Sequence, residues 1–119
     1  MELTFIKPKE TKARAKITVH RTGKLGFSKG AMELLELEQN KSAKFGYNEQ
    51  QELFILMGNE PDEETFNIAK AGAYYYIAAK TLLEDLGIEY KSENTTIFDV
   101  FKTEEKNIFK LKKRIIKKK

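Results

Sequence analysis

Residue types that support catalysis and metal binding are scarce in this chain of 119 residues. It has no cysteine, which excludes disulfide bonds, thiolate zinc sites and a cysteine nucleophile. Its one histidine, His20, cannot build a cage of imidazole ligands, and no serine and aspartate accompany it in the pattern of a catalytic triad. We interpret His20 as a surface residue. We therefore predict no enzyme activity, no metal site and no cofactor.

Long apolar segments are also missing. No run approaches the roughly 20 apolar residues that a membrane-spanning helix needs. The segment Met1–Phe5 lacks the basic region and the apolar region of a secretory signal. These absences predict a cytoplasmic protein that does not contact a membrane.

Positive charge is concentrated towards the two ends of the chain. Residues 1–16 carry five basic and two acidic side chains, and residues 110–119 carry seven basic side chains and no acid. Residues 17–109 have a net charge of −6, although the whole chain is +4. Basic ends on an acidic body are typical of arms that bind a polyanion. They are also typical of tails that only improve solubility.

Alternating apolar residues predict strands whose order repeats along the chain. Residues 17–57 are predicted as two strands, a short helix with Ser28 as its N-cap, and two further strands. The same order recurs over residues 66–111, and Gly23 aligns with Gly72 without a gap. Since half a chain of about 45 residues is too small to bury an adequate core, we expect the two halves to pack together.

The predicted fold class is therefore α+β, with two tandem strand–strand–helix–strand–strand repeats in one pseudo-twofold, barrel-like domain. The last strand is predicted to end near Leu111. The carboxylates between the repeats lack the ligand spacing of a calcium loop, which indicates a linker. The predicted segments are a basic N-terminal arm (1–16), repeat 1 (17–57), an acidic linker (58–65), repeat 2 (66–111) and a basic C-terminal tail (112–119).

The first repeat resembles the swapped-hairpin DNA-binding domain of AbrB-type transition-state regulators and of MraZ. The segment Val19–Ser28 stands where that family has its turn and second strand, and Leu35-Glu36-Leu37 stands at the Leu-Gly-Ile end of the family's helix. The resemblance implies a DNA-binding regulator with two units in tandem, as in MraZ-like chains. It places Lys24 at the family's turn arginine and Lys29 just beyond the strand.

Three consecutive tyrosines lie in a predicted strand of the second repeat. Tyr74 and Tyr76 share one face of that strand and align with apolar residues of the first repeat, so we predict them in the core. Tyr75 then faces solvent beside Lys70. An exposed ring next to a lysine is typical of surfaces that stack on single-stranded nucleic acid.

These observations predict a nucleic-acid-binding protein, specifically a small transcription regulator of the AbrB or MraZ type. Two alternatives stay open: a protein-interaction module whose acidic body binds a basic partner, and a Whirly-like single-stranded DNA binder that uses Tyr75. A homo-oligomer also stays open. The predicted nucleic-acid contacts are Lys12, Arg14, Lys16, Arg21, Lys24, Lys29, Lys70, Tyr75, Lys112, Lys113, Arg114, Lys117, Lys118 and Lys119.

Overall fold

Strands dominate the regular structure of the chain. A computed structural model describes residues 1–6 and 15–117. The strands in these ranges are β1 (Lys16–Val19), β2 (Lys24–Phe27), β3 (Ser42–Tyr47), β4 (Leu53–Gly58), β5 (Phe66–Asn67), β6 (Ala69–Ala71), β7 (Tyr74–Ala78), β8 (Thr95–Lys102) and β9 (Ile108–Ile116). Two six-residue helices, α1 (Lys29–Leu34) and α2 (Lys80–Asp85), follow β2 and β7.

The strands form one antiparallel sheet that curls into a nearly closed barrel. Their order across the sheet is β5-β3-β4-β9-β8-β1-β2-β7-β6. The two edge strands, β5 and β6, are consecutive in the chain and separated only by Ile68. The backbone N–H of Ile68 donates to the carbonyl of Lys41 at 2.9 Å. The chain itself therefore brings the two edges of the sheet together.

The prediction of an α+β fold built from two strand–strand–helix–strand–strand repeats is wrong. Strands hold 43% of the described residues and helices only 11%, so the protein is mostly β. Strands from the two predicted repeats pair within one sheet, since β1 pairs with β8 and β4 pairs with β9. The two helices are too short to form a layer of their own. The local apolar pattern predicts strands, but it does not say which distant strands become neighbours.

The predicted N-cap of α1 is confirmed, and a glycine follows the end of α2. The hydroxyl of Ser28 accepts a hydrogen bond from the backbone N–H of Ala31 at 3.1 Å and so caps α1. Gly87, which follows α2, has a φ of 69°, the left-handed conformation that often ends a helix.

The core fills the inside of the barrel with alternate residues from each strand. On β1, for example, Ile17 and Val19 point inward while Thr18 points outward. The large side chains that are fully buried are Ile17, Leu25, Leu35, Leu37, Ile55, Ile77 and Leu83.

The predicted orientation of the three tyrosines on β7 is wrong. Tyr75 is buried with 5% of its surface exposed, whereas Tyr74 is 40% exposed and Tyr76 is half-buried. Ile77 explains the orientation, because it shares a face with Tyr75 and is completely buried. An isoleucine gains more from burial than a tyrosine whose hydroxyl needs a hydrogen-bond partner. Tyr75 is therefore part of the core and cannot stack on a base.

The last strand extends past Leu111 to Ile116, so the predicted end of that strand is wrong. Its final part, Lys112–Ile116, pairs with Thr95–Asp99 of β8. The guanidinium of Arg114 also donates to Asp99 from Nε to Oδ2 at 2.7 Å. Much of the predicted basic tail is therefore a strand of the barrel. Alternation along the strand places Lys112 and Lys113 on opposite faces, which reduces their mutual repulsion.

Candidate nucleic-acid interface

Aromatic and basic side chains cluster on the outer face of β1, β2 and β7. Directly paired residues of an antiparallel sheet point to the same side. The register pairs Thr18 with Gly26 and Gly26 with Tyr76, so these residues form one row on the outside of the barrel. Tyr74 lies two residues before Tyr76 and points to the same side. We call this surface the tyrosine face and define it by His20, Lys24, Gly26, Tyr74 and Tyr76.

The two tyrosine rings lie side by side on this face with a lysine next to them. The rings of Tyr74 and Tyr76 are nearly parallel, with their centroids 6.3 Å apart and their planes inclined by 19°. The ammonium of Lys24 lies 4.7 Å from the centroid of the Tyr76 ring, which is a cation–π contact. Lys24 forms no ion pair with any residue in the described ranges. Its charge therefore has no acidic partner there.

A hydrogen bond holds the ring of Tyr74 across the neighbouring strand. The Oη atom of Tyr74 lies 2.6 Å from Nε2 of His20, and the centroids of the two rings are 6.2 Å apart in an edge contact. Partial burial raises the pKa of the Tyr74 phenol above its ordinary value. The phenol therefore stays neutral near pH 7 and adds no negative charge that would repel a phosphate.

Gly26 makes this contact between Tyr74 and His20 sterically feasible. A Cβ atom at position 26 would overlap both the Tyr74 hydroxyl and the His20 ring, and it would lie 2.9 Å from Cζ of Tyr74. Glycine inside a strand often marks such a close approach. Any other residue at position 26 would displace the two rings from the surface of β2.

We expect Gly26→Ala to lower the free energy of unfolding by about 1–3 kcal/mol, the usual cost of inserting atoms into a filled space. Gly46→Ala on β3 is the matched control, because a Cβ atom at position 46 meets nothing within 4 Å. Chemical denaturation of both variants measures the difference. Equal stability of the two variants would contradict the close packing of Tyr74 and His20 over Gly26.

The outer side of the barrel carries further basic residues on β1 and β9, which are two and four strands away from β7 in the sheet order. Lys16 pairs with Asp99, and Asp99 pairs with Lys112, so these three share the outer side. Arg114 lies on the same side and is bound to Asp99. Within the described part of the chain, Lys16 and Lys112 have no ion-pair partner. We call Lys16, Lys112 and Arg114 the basic strip.

Three other predicted contacts lie away from this outer face. Lys29 borders a cavity that is also lined by Glu33, Glu36 and Glu38, so its surroundings are acidic. Lys70 approaches the buried ring of Tyr75, with 5.5 Å between its ammonium and the ring centroid. Since directly paired residues share a face, Lys113, opposite Phe98, points to the inner side.

The remaining predicted contacts lie in turns and at the chain ends. Arg21 is exposed in the turn after β1 and borders a cavity that Glu93 also lines. Lys117 is exposed and follows the end of β9. Lys12, Arg14, Lys118 and Lys119 lie outside the described residues.

Most residues of the tyrosine face were not predicted from the sequence as binding residues. Only Lys24 was predicted to bind, whereas His20 was interpreted as a surface residue and Tyr74 and Tyr76 as core. Two signals were present in the sequence. Gly26 interrupts a strand, which indicates close approach of another group, and Ile77 fixes which tyrosines point outward.

Residues 1–6 and 15–117 contain no group of three or more His, Cys, Asp or Glu side chains that could hold a metal ion. In the same ranges, neither helix has the length and apolar character needed to cross a bilayer. Comparison of the chain with family models, curated proteins and solved structures gave no match. The outer face of the barrel is therefore the feature from which a function can be inferred.

Proposed function

We propose that the protein binds nucleic acid and that unpaired bases stack on the tyrosine face. The observation that carries this proposal is the parallel pair of outward-facing rings, Tyr74 and Tyr76, beside the unpaired ammonium of Lys24. Aromatic rings on a sheet surface provide stacking platforms for bases, and neighbouring lysines neutralise the phosphates.

The basic strip continues from this platform around the outside of the barrel, a path that a flexible single strand could follow. Lys16 and Lys112 lie on the same outer side as the tyrosines, and the one acid between them, Asp99, is already bound by Arg114. A strand whose bases reach Tyr74 and Tyr76 could therefore place its phosphates against Lys16, Lys24 and Lys112. These lysines supply the electrostatic part of the affinity.

A single strand fits this surface better than a duplex. The bases of a duplex are stacked on each other and accessible only at their edges, which are usually read by a helix or a two-stranded ribbon inserted into the major groove. Both helices in the described ranges have only six residues, and no residue of the tyrosine face belongs to either of them. The resemblance to AbrB-type regulators and MraZ, and with it a role in transcription, stays a prediction.

Fluorescence anisotropy with a labelled 12-mer of deoxythymidine and a 12-base-pair duplex, each over a range of salt concentrations, tests the proposal. We expect tighter binding to the single strand. Three engaged lysines predict a slope of about −2 for log K against log salt, since each phosphate contact contributes about 0.7 on single strands. Lack of binding to the single strand at low salt, or preference for the duplex, would contradict the proposal.

A matched pair of charge variants locates the contact. Lys24→Gln should make the slope shallower by about 0.7 and weaken binding. Lys106→Gln removes the same charge from the turn between β8 and β9, away from the tyrosine face, and should leave the slope unchanged. Equal effects of the two variants would show that only net charge matters.

A second candidate function, a protein-interaction module, is favoured by apolar side chains on the outer face of β4, β8 and β9. Leu56 is 41% exposed and Phe101 is 49% exposed, and Phe54 and Phe101 lie on either side of Lys110. Exposed apolar groups of this kind are typical of surfaces that contact other proteins. A chain that binds no nucleic acid but self-associates in sedimentation experiments would favour this function.

A further inference from the structure

A second site is formed by a cavity of about 480 Å³ at the end of the barrel where β4, β9 and the segment after α2 meet. Most of its wall is apolar, and several of the apolar side chains belong to the core. The apolar lining residues are Tyr47, Leu53, Leu86, Ile88, Phe98 and Leu111. A volume of this size lies in the range of pockets that bind small organic molecules, about 300–1,000 Å³.

The charged residues at this cavity are mostly positive. Lys110, Lys112, Lys113 and Glu52 all border it. The carboxylate of Glu52 accepts hydrogen bonds from Lys110 and from Nδ2 of Asn48, the latter at 3.0 Å. These bonds hold the pKa of Glu52 below its ordinary value, so Glu52 stays ionised and compensates Lys110.

Lys113 lies on the inner side of the sheet, and the ion pair between Glu52 and Lys110 does not compensate its charge. It lies opposite Phe98, which is part of the cavity wall, whereas Lys112 lies opposite Asp99 on the outer face. Lys113 has no ion-pair partner among residues 15–117. Lys112 also borders the cavity without an ion-pair partner in the described ranges, but its paired position is on the outer side. The cavity therefore combines an apolar wall with one uncompensated ammonium on the inner side of the sheet.

We propose that this cavity binds an apolar carboxylate, with its hydrocarbon part against Leu86, Ile88 and Phe98 and its carboxylate at Lys113. An apolar body gains free energy by covering the wall. A carboxylate gains a charge-assisted hydrogen bond from the ammonium, which a neutral ligand of the same shape lacks. The site does not depend on the tyrosine face, because Lys113 and Tyr76 point to opposite sides of the sheet.

The absence of tryptophan from the chain allows a clean binding assay. Tyr47 lies at the cavity and is 55% exposed, so Tyr47→Trp introduces a single tryptophan at an exposed position. Titration with decanoate and with 4-butylbenzoate, below their aggregation concentrations, should shift the tryptophan emission with saturation. Comparison of the two affinities shows whether the cavity prefers an aliphatic or an aromatic ligand. Decanol should bind at least about tenfold more weakly than decanoate, and decyltrimethylammonium should bind more weakly still.

Two charge variants in the Tyr47→Trp background complete the test. Lys113→Gln should weaken decanoate binding by at least about tenfold, the usual effect of losing a hydrogen bond to a charged group, and should leave decanol binding unchanged. Lys106→Gln, in the distant turn between β8 and β9, should change neither affinity. Circular dichroism establishes that the variants are folded.

Several results would overturn the proposal. The first such result combines two findings. Tyr47→Trp would give no saturable response, and calorimetric titration of the unmodified chain with each carboxylate would produce no heat. Equal affinity for decanoate and decanol would show that no ammonium contributes. An unchanged decanoate affinity in a folded Lys113→Gln variant would exclude the assigned residue.

Discussion

Replacing Tyr74 and Tyr76 together with alanine is expected to weaken binding to the 12-mer of deoxythymidine by at least about 30-fold. Each stacked base contributes about 1–3 kcal/mol, so the loss of two stacking rings costs at least about 2 kcal/mol. Both rings are on the outside of the barrel, with Tyr74 40% exposed. The loss should therefore appear in affinity much more than in stability.

Two controls separate stacking from other effects of this double variant. Replacing both tyrosines with phenylalanine keeps the rings and removes the hydroxyls, so affinity should stay within a few-fold of the original. Tyr47→Ala removes another exposed tyrosine, which lies on β3 away from the tyrosine face, and should leave affinity unchanged. A loss in the double variant no larger than that of Tyr47→Ala would contradict stacking on this face.

Deleting residues 112–119 is expected to remove most or all of the stability of the fold. The deletion removes the residues of β9 that pair with Thr95–Asp99 of β8, so five paired positions are lost. At about 1 kcal/mol for each ladder hydrogen bond the loss is about 5 kcal/mol, comparable with the total stability of a small domain. It also removes the ion pair of Arg114 with Asp99. Thermal unfolding followed by circular dichroism measures the effect.

Deleting only residues 117–119 is the matched control, because β9 ends at Ile116. This shorter deletion removes three lysines and leaves β9 as the structure describes it intact, so the melting temperature should stay close to that of the full chain. A folded chain after removal of residues 112–119, with an unchanged melting temperature, would show that the strand beyond Leu111 contributes nothing.

The local strand pattern could be predicted from the sequence, and the assembly of the strands could not. Alternation correctly located β1 and β2, and Ser28 correctly predicted the start of α1. The pairing of β1 with β8 joins residues about 80 positions apart, and nothing in either segment specifies the other. The fold class was therefore wrong, although most of the strands were expected.

The predicted orientation of β7 and the predicted end of β9 were wrong because the side chains in these segments form no clear apolar pattern. In β7 the three tyrosines are identical, so the orientation depended on Ile77 alone. In β9 the residues after Leu111 are mostly lysine and arginine, which have no apolar period even though they occupy a strand. The outer side of the strand carries Lys112 and Arg114, and the inner side carries the exposed Lys113, so charge on both sides removes the alternation.

Only the basic part of the candidate site could be predicted from the sequence, for a related reason. The charge of the chain ends suggested Lys16, Lys112 and Arg114, and the family resemblance suggested Lys24. The strand register places all four on the outer side of the barrel. The aromatic part depends on the orientation of β7 and on the hydrogen bond between His20 and Tyr74, which joins residues 54 positions apart. Only the folded sheet brings the aromatic and basic parts together.

The most direct test of the tyrosine face is a titration of ¹⁵N-labelled protein with the 12-mer of deoxythymidine, followed by amide chemical shifts. The account predicts that the largest changes fall on the strands of this face, at Thr18, Lys24, Gly26 and Tyr76, with little change at Leu56 on β4. Changes concentrated at Leu56 and its neighbours, or no changes at low salt, would contradict nucleic-acid binding by the tyrosine face.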